Sequence, residues 1–211
     1  MTYRGKGNRA RKLIKETLEK HPNSCVAVSF GKDSTVLLHL IRSMKRDIPV
    51  IAVLTDTEFP ETFQYRDKLL KKWKLNYHEF TFQNNLESGL EECCRTAKVT
   101  KFVEALQPYD CWFSGIRLDE GITRNNFQEV EEKGGLVKVN PLLYFTEKDI
   151  WRYIALCRIP VNPMYKKGYR SLSCKLCSVK EKDESEPERA GRWAGTANAG
   201  LECGIHSQSL R

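Results

Sequence analysis

Short apolar runs alternate with amphipathic stretches along this chain, and their periods predict its elements. Asn8 to Lys20 carries apolar residues at helical spacing and stops at His21-Pro22, a pair that ends helices. Ser24 to Phe30 (SCVAVSF) is a short, β-branched apolar run and predicts a buried strand. A turn at Gly31-Lys32-Asp33 follows, with Ser34 as the expected cap of a helix through Lys45. Pro49 to Leu54 (PVIAVL) predicts a second buried strand, Asp56 to Pro60 a loop, and Glu61 to Lys72 an amphipathic helix. Asn76 to Phe82 alternates as a third strand, and Cys111 to Ile116 (CWFSGI) reads as a fourth. Thr146 to Asp149 opens a helix over Glu147 to Cys157 in the manner of a capping box.

This βαβαβ rhythm predicts an α/β fold with a doubly wound, mostly parallel sheet and nucleotide chemistry at the strands' C-terminal ends. Regular patterning fades after Arg158. Residues 179–211 are polar, charged and Gly-containing, and are expected to form a mobile C-terminal tail or lid on a domain spanning residues 1–178.

Composition narrows the setting. No run approaches the ~20 apolar residues that cross a bilayer. The basic N-terminus has no apolar core or cleavage site of a signal peptide, so a cytoplasmic protein without a membrane partner is expected. The excess of 35 Lys and Arg over 27 Asp and Glu gives a net charge of +8, which fits an anionic partner or a basic solvated surface equally. Nucleic acid is not expected, because no run interleaves aromatic stacking platforms with basic residues. Clustered cysteines in a cytosolic chain point to metal or redox chemistry before disulfides. Of the eight, Cys25, Cys111 and Cys157 sit in apolar stretches and are expected in the core.

Ser29-Phe30-Gly31-Lys32-Asp33-Ser34 joins the first strand to its helix. A glycine turn ahead of free helix amides makes an anion site, and Ser29 and Ser34 add hydroxyl donors. The spacing departs from the Walker-type loop, and an ordinary Gly turn before a helix would look similar. It resembles the loop of the adenine-nucleotide α-hydrolase group. Asp56-Thr57 follows the second strand at the same sheet edge and resembles a segment lining that group's nucleotide pocket.

Cys93-Cys94 and Cys174-Lys175-Leu176-Cys177 supply four thiols in two pairs. On spacing alone an iron–sulfur cluster, a zinc ion and a structural role all remain open, with adjacent cysteines straining a small tetrahedral ion more than a cluster. Tandem cysteines, about eighty residues and a Cys-x-x-Cys resemble the cluster signature of the sulfonucleotide reductases, the adenylyl-sulfate and phosphoadenylyl-sulfate reductases. Cys93 to Val99, with Lys98 in place, resembles that family's stretch after its tandem cysteines. Ala97 stands where the family usually has Arg, Thr100-Lys101 replaces an acidic-Pro pair, and Lys-Leu fills a Cys-x-x-Cys that often contains Pro. Ser114 to Glu120, with Gly115 and Arg117, resembles its nucleotide-contacting Gly-x-Arg-x-Asp segment. Asn140-Pro141, Trp151, Asn162-Pro163 and Gly168 to Ser171 fall in matching order, so the resemblance covers about residues 24–206.

The tail completes it. Glu188 to Trp193 and Glu202-Cys203-Gly204-Ile205-His206 would alone suit a basic tail with a stray thiol. Together they resemble the family's C-terminal segment. The resemblance implies a [4Fe-4S] cluster on Cys93, Cys94, Cys174 and Cys177, and Cys203 as the nucleophile. It also implies Lys98, Arg189 and Arg192 as cations facing the sulfate, Arg117 at the nucleotide, and His206 as an aid to the sulfate or the thiol. Thioredoxin or a similar thiol reductant, a sulfonucleotide substrate and a homo-oligomeric state follow as expectations. The rival reading is an ATP-pyrophosphatase-type adenylyltransferase or tRNA-thiolating enzyme, which shares the loop but leaves the tail unexplained.

Overall fold

The four apolar runs become strands of one sheet in the computed structural model, which describes residues 1–83, 96–180, 187–195, 199, 202 and 204–207. These are β1 (Ser24–Ala27), β2 (Pro49–Thr55), β3 (Asn76–Phe82) and β4 (Cys111–Phe113). A hairpin adds β5 (Val130–Lys133) and β6 (Leu136–Val139), turning through Gly134 and Gly135, both at positive φ. The order is β3-β2-β1-β4-β6-β5; only β5 runs antiparallel to its neighbour. The mostly parallel α/β fold is as the alternating pattern predicts.

Helices α1 (Tyr3–Lys20), α2 (Lys32–Arg42), α3 (Pro60–Trp73), α4 (Lys98–Leu106) and α5 (Glu147–Cys157) accompany the strands, with a short α6 (Gly204–Ser207) in the tail. Helix α1 starts five residues before its periodic stretch because the Thr2 hydroxyl accepts a hydrogen bond from the Gly5 amide. Helix α5 keeps its expected bounds through a complete capping box between Thr146 and Asp149.

Two apolar clusters hold the layers. Val26, Val28, Val50 and Phe113 pack with Leu37, Ile41 and Ile154, while Cys25, Ile51 and Trp112 pack against Val99 and Phe102 of α4. Cys25 and Cys111 are buried as expected, but Cys157 is exposed. The buried stripe of α5 is Ile150, Tyr153 and Ile154, and its last turn ends at Arg158 in a left-handed conformation, leaving Cys157 at the surface. Among the described residues, no helix is long and apolar enough to cross a membrane.

The C-terminal segment is tied down rather than separate over residues 187–195. Ser178 and Arg192 form an antiparallel bridge, the Val179 amide donates to the Gly191 carbonyl (2.9 Å), and the Trp193 amide donates to the Cys177 carbonyl (3.1 Å).

Candidate active site

The chain runs from β1 outward to β2 and β3, then returns to place β4 on the other flank of β1. Strand order reverses between β1 and β4, and loops leaving the strands' C-terminal ends there open a crevice, the usual ligand position in such sheets.

The loop after β1 is shaped by an unexpected residue. Phe30, fully buried, takes the left-handed conformation (φ 59°), a strain of about 1–2 kcal/mol for a bulky side chain. Asn162 holds it there by donating to the Phe30 carbonyl (3.3 Å). Gly31 is extended (φ −79°), so its missing side chain provides room rather than a turn: a Cβ there would lie 3.2 Å from the Tyr165 hydroxyl, which accepts a 2.7 Å hydrogen bond from the Lys32 amide. Gly31, not Ser34, is the N-cap of α2. Ser34 instead braces the loop, its hydroxyl accepting from the Ser29 amide and donating to the Gly31 carbonyl, both at 3.2 Å.

The loop after β4 lies directly on this one. A Cβ on Gly115 would stand 3.0 Å from the Ser34 nitrogen and 3.1 Å from the Asp33 carbonyl carbon, a clash with backbone that cannot swing away. Arg117, two residues on, is fully buried and donates to Asp33 (2.6 Å) and to both carboxylate oxygens of Glu188 (2.5 and 2.7 Å). Lys32 joins them through an ion pair with Glu188 and a 2.9 Å bond to the Arg170 carbonyl. Burial alone would lower the Lys32 pKa, but Asp33, Tyr165 and Glu188 hold it above its usual value. Burial would raise that of Asp33, but Lys32 and Arg117 hold it down. Burial pushes Glu188 up to about 7 against the pull of Lys32 and Arg117. Two cations and two carboxylates thus lock the tail to the loop.

Residues 29 and 31–34 line the crevice, with Gly115 beside them; Lys98, Arg189, Arg192 and His206 complete the expected residues on its wall. Phe30, Asp56, Thr57 and Arg117 do not line it. Phe30 and Arg117 act from behind, while Thr57 accepts the Lys175 amide (3.0 Å) and so ties the cysteine turn to the loop after β2. Cys93, Cys94 and Cys203 lie outside the described residues.

The wall also carries charges that the motifs did not mark. Arg124, buried, pairs with Glu120 and donates to Glu202 (2.8 Å), and Arg189 reaches the same Glu202 carboxylate at 3.2 Å. Burial opposes ionisation of Glu202, but Arg189 and Arg124 override it and depress its pKa. Burial and the neighbouring Arg124 and Arg192 lower Arg189 to about 10. His206 is stacked on Trp112 (6.0 Å, 16°); burial and Lys138 hold it neutral, and its Nδ1 has no hydrogen-bond partner among the described residues.

The model of the phosphoadenosine phosphosulfate reductase domain matches residues 23–180. The chain belongs to that reductase family. Adenosine 5′-phosphosulfate reductase of Halalkalibacterium halodurans is 35 % identical over 195 residues, covering 85 % of this chain and 83 % of that protein. Adenosine 5′-phosphosulfate reductase 1 of Bacillus subtilis is 35 % identical, covering 85 % and 82 %. The fold is shared with phosphoadenylyl-sulfate reductase from Candida auris, solved as a phosphate complex (TM-score 0.71, 19 % identity, 81 % of this chain and 90 % of that one). It is shared equally with FMN adenylyltransferase of Candida glabrata (TM-score 0.68, 17 % identity, 95 % and 75 %), so the fold alone does not separate the two chemistries.

In this member of the reductase family, Cys174 and Cys177 flank one turn, both buried, with Trp193 packed on them. A hydrogen bond from Cys177 lowers the Cys174 thiol to about 6, further helped by the charge of Lys98. Two soft ligands with one biased to thiolate fit half of a thiolate-bound metal centre. Sequence reasoning missed Arg124, although it lies seven residues after Arg117, and gave no role to Glu188 or Glu202 within the motifs it marked. Their signal was the charge itself, since Arg and Glu are rarely buried unless paired.

Proposed function

We propose that the protein reduces adenylyl sulfate to sulfite and AMP, through an S-sulfonate on Cys203, with thioredoxin or a similar dithiol as reductant, in the cytoplasm. The observation that carries this reading is the seating of Glu202, Ile205 and His206, on either side of Cys203 in sequence, on the wall of the crevice with Lys98, Arg189 and Arg192. The adenosine 5′-phosphosulfate reductases that are 35 % identical over 85 % of the chain favour this reading over nucleotidyl transfer.

The site's residues account for the chemistry. The Ser29–Ser34 loop, at the N-terminus of α2, receives the phosphate. Lys98, Arg189 and Arg192 offset the charge that builds as a thiolate approaches an anionic sulfate. The Cys203 sulfur attacks the sulfate sulfur, a sulfur–sulfur bond forms, the sulfur–oxygen bond to phosphate breaks, and AMP leaves with that electron pair. A dithiol's thiolate then attacks Cys203, sulfite departs with the sulfur–sulfur pair, and the second thiol resolves the mixed disulfide, returning Cys203 and supplying two electrons in all. Cys174 and Cys177, with Cys93 and Cys94, would hold a [4Fe-4S] cluster, whose negative charge supplies an electrostatic counterpart to Lys98. Lys98 opens α4 beside the crevice and faces Cys174 and Glu58; burial pushes Glu58 up to about 7 against the pull of Lys98.

Adenylyl sulfate is preferred over its 3′-phosphorylated form because the curated relatives carry that name. Sulfite release is measured on anaerobically purified protein with each sulfonucleotide and reduced thioredoxin. Turnover of adenylyl sulfate without ATP is expected; no sulfite from either nucleotide, or a requirement for ATP, contradicts the reading.

A further inference from the structure

We propose that Glu202 is a positioning residue for the sulfonation step, its carboxylate seating the adjoining Cys203 against the nucleotide crevice through Arg124 and Arg189. The inference rests on the proposed function and adds to it a residue that acts through Arg124 and Arg189.

Glu202, Arg124 and Arg189 are 6 %, 5 % and 11 % exposed at their side chains, so these pairs are closed to water and not surface ornaments. Arg124 does not float. It is fixed by Glu120, whose carboxylate also accepts the Arg117 amide (3.1 Å), and Arg117 in turn holds Asp33 of the phosphate loop. A continuous polar path therefore runs from Glu202 through Arg124, Glu120 and Arg117 to Asp33. It references the residue beside the nucleophile to the loop that receives the phosphate. On the other side of Cys203, Ile205 packs on the cluster of Val99, Phe102 and Trp112, an apolar anchor opposite the polar one. Cys203 is one peptide unit from Glu202 and two from Ile205, so anchoring both restricts the span within which its sulfur can lie. A displacement of about 1 Å at a reacting atom can cost on the order of a hundredfold in rate. Among the described residues of the tail, the other buried carboxylate, Glu188, stands behind the wall and serves the loop instead.

The test uses Glu202→Gln in the full-length protein, with single-turnover formation of the S-sulfonate followed by intact mass. The rate should fall about ten- to a hundredfold. AMP affinity by calorimetry and the rate at which thioredoxin releases sulfite from preformed adduct should stay within about twofold of the wild type, because neither needs the anchor. Glu202→Asp, which keeps the charge on a shorter arm, should fall between the two. Combining Glu202→Gln with Arg124→Gln should slow the reaction no more than the slower single change, as expected for residues acting through one contact. A Glu202→Gln rate equal to the wild type overturns the proposal. So does a loss of rate matched by a loss of AMP affinity or of the thermal unfolding transition, since Glu202 would then serve the fold. Wild-type protein that forms no adduct overturns the reductase reading, and the anchor with it.

Discussion

Arg117→Met removes the charge at the centre of the loop-and-tail lock while keeping much of the side chain's length. Arg117 is fully buried and makes three short charged hydrogen bonds, one to Asp33 and two to Glu188. Without it, two carboxylates share Lys32 alone. Hydrogen bonds to charged groups are worth about 1.5–3 kcal/mol each, and breaking a buried pair from one side costs about 3–5 kcal/mol. Lys32 offsets part of the loss, so about 3–5 kcal/mol is expected for the whole change. At this chain length that is a fall in Tm of about 6–20 °C. The sign of the pH dependence follows from Glu188. Its pKa in the folded protein, about 7, already exceeds the ordinary 4.5, and losing Arg117 raises it further. A raised carboxyl contributes stability below its unfolded pKa and loses it as pH climbs through the folded value. The variant should therefore suffer more at pH 8 than at pH 5.5. Anaerobic urea titrations at the two pH values measure this. The pair Lys12–Glu16, at 3.8 Å with side chains 76 % and 59 % exposed, is the control, and Lys12→Gln should change stability by less than about 0.5 kcal/mol. An Arg117→Met variant within about 1 kcal/mol of the wild type, or one hurt more in acid, refutes the argument.

Gly115→Ala should weaken AMP binding about tenfold or more by calorimetry, because its Cβ would press on the Ser34 and Asp33 backbone; unchanged affinity would separate that contact from the nucleotide site. Cys174→Ser and Cys177→Ser should each lose the brown colour and acid-labile sulfide of anaerobically prepared protein. Stoichiometric zinc without sulfide in the wild type would contradict the cluster. The depressed pKa of Glu202 places its stabilising contribution above pH 4.5, lost as pH falls further through the folded value. Hydrogen exchange should accordingly show residues 204–207 equally protected from pH 8 to 5 and less so in acid, and a loss of protection between pH 8 and 6 would refute that.

Strands β1, β2 and β4 were readable because they are buried on both faces and so appear as continuous apolar runs, β3 because it alternates, and α5 because Thr146 and Asp149 cap it locally. The β5–β6 hairpin escaped notice because β5 is an edge strand, Val130-Glu131-Glu132-Lys133, with little apolar character; Gly134-Gly135 was its signal. The phosphate loop was recognisable by residue type, but its mechanics were not. The strained turn falls on Phe30 and the cap on Gly31 because Asn162 and Tyr165, more than 130 residues away, hold them. Arg117 resembled a nucleotide contact, and its pairing with Asp33 and Glu188 was not legible because these residues meet only in the folded chain. Sequence spacing marks where charged residues are; it does not say which of them face one another.

The claim on which the account turns is that Cys203 attacks the sulfonucleotide. Wild-type protein incubated anaerobically with adenylyl sulfate and no thiol, then digested and mapped by mass spectrometry, should carry one added mass of about 80 Da on Cys203 and on no other cysteine, because a covalent intermediate persists until it is resolved. Reduced thioredoxin should remove it with release of one equivalent of sulfite, and Cys203→Ser should form neither adduct nor sulfite while still binding AMP. An adduct on a different cysteine, or sulfite made by the Cys203→Ser variant, contradicts the account.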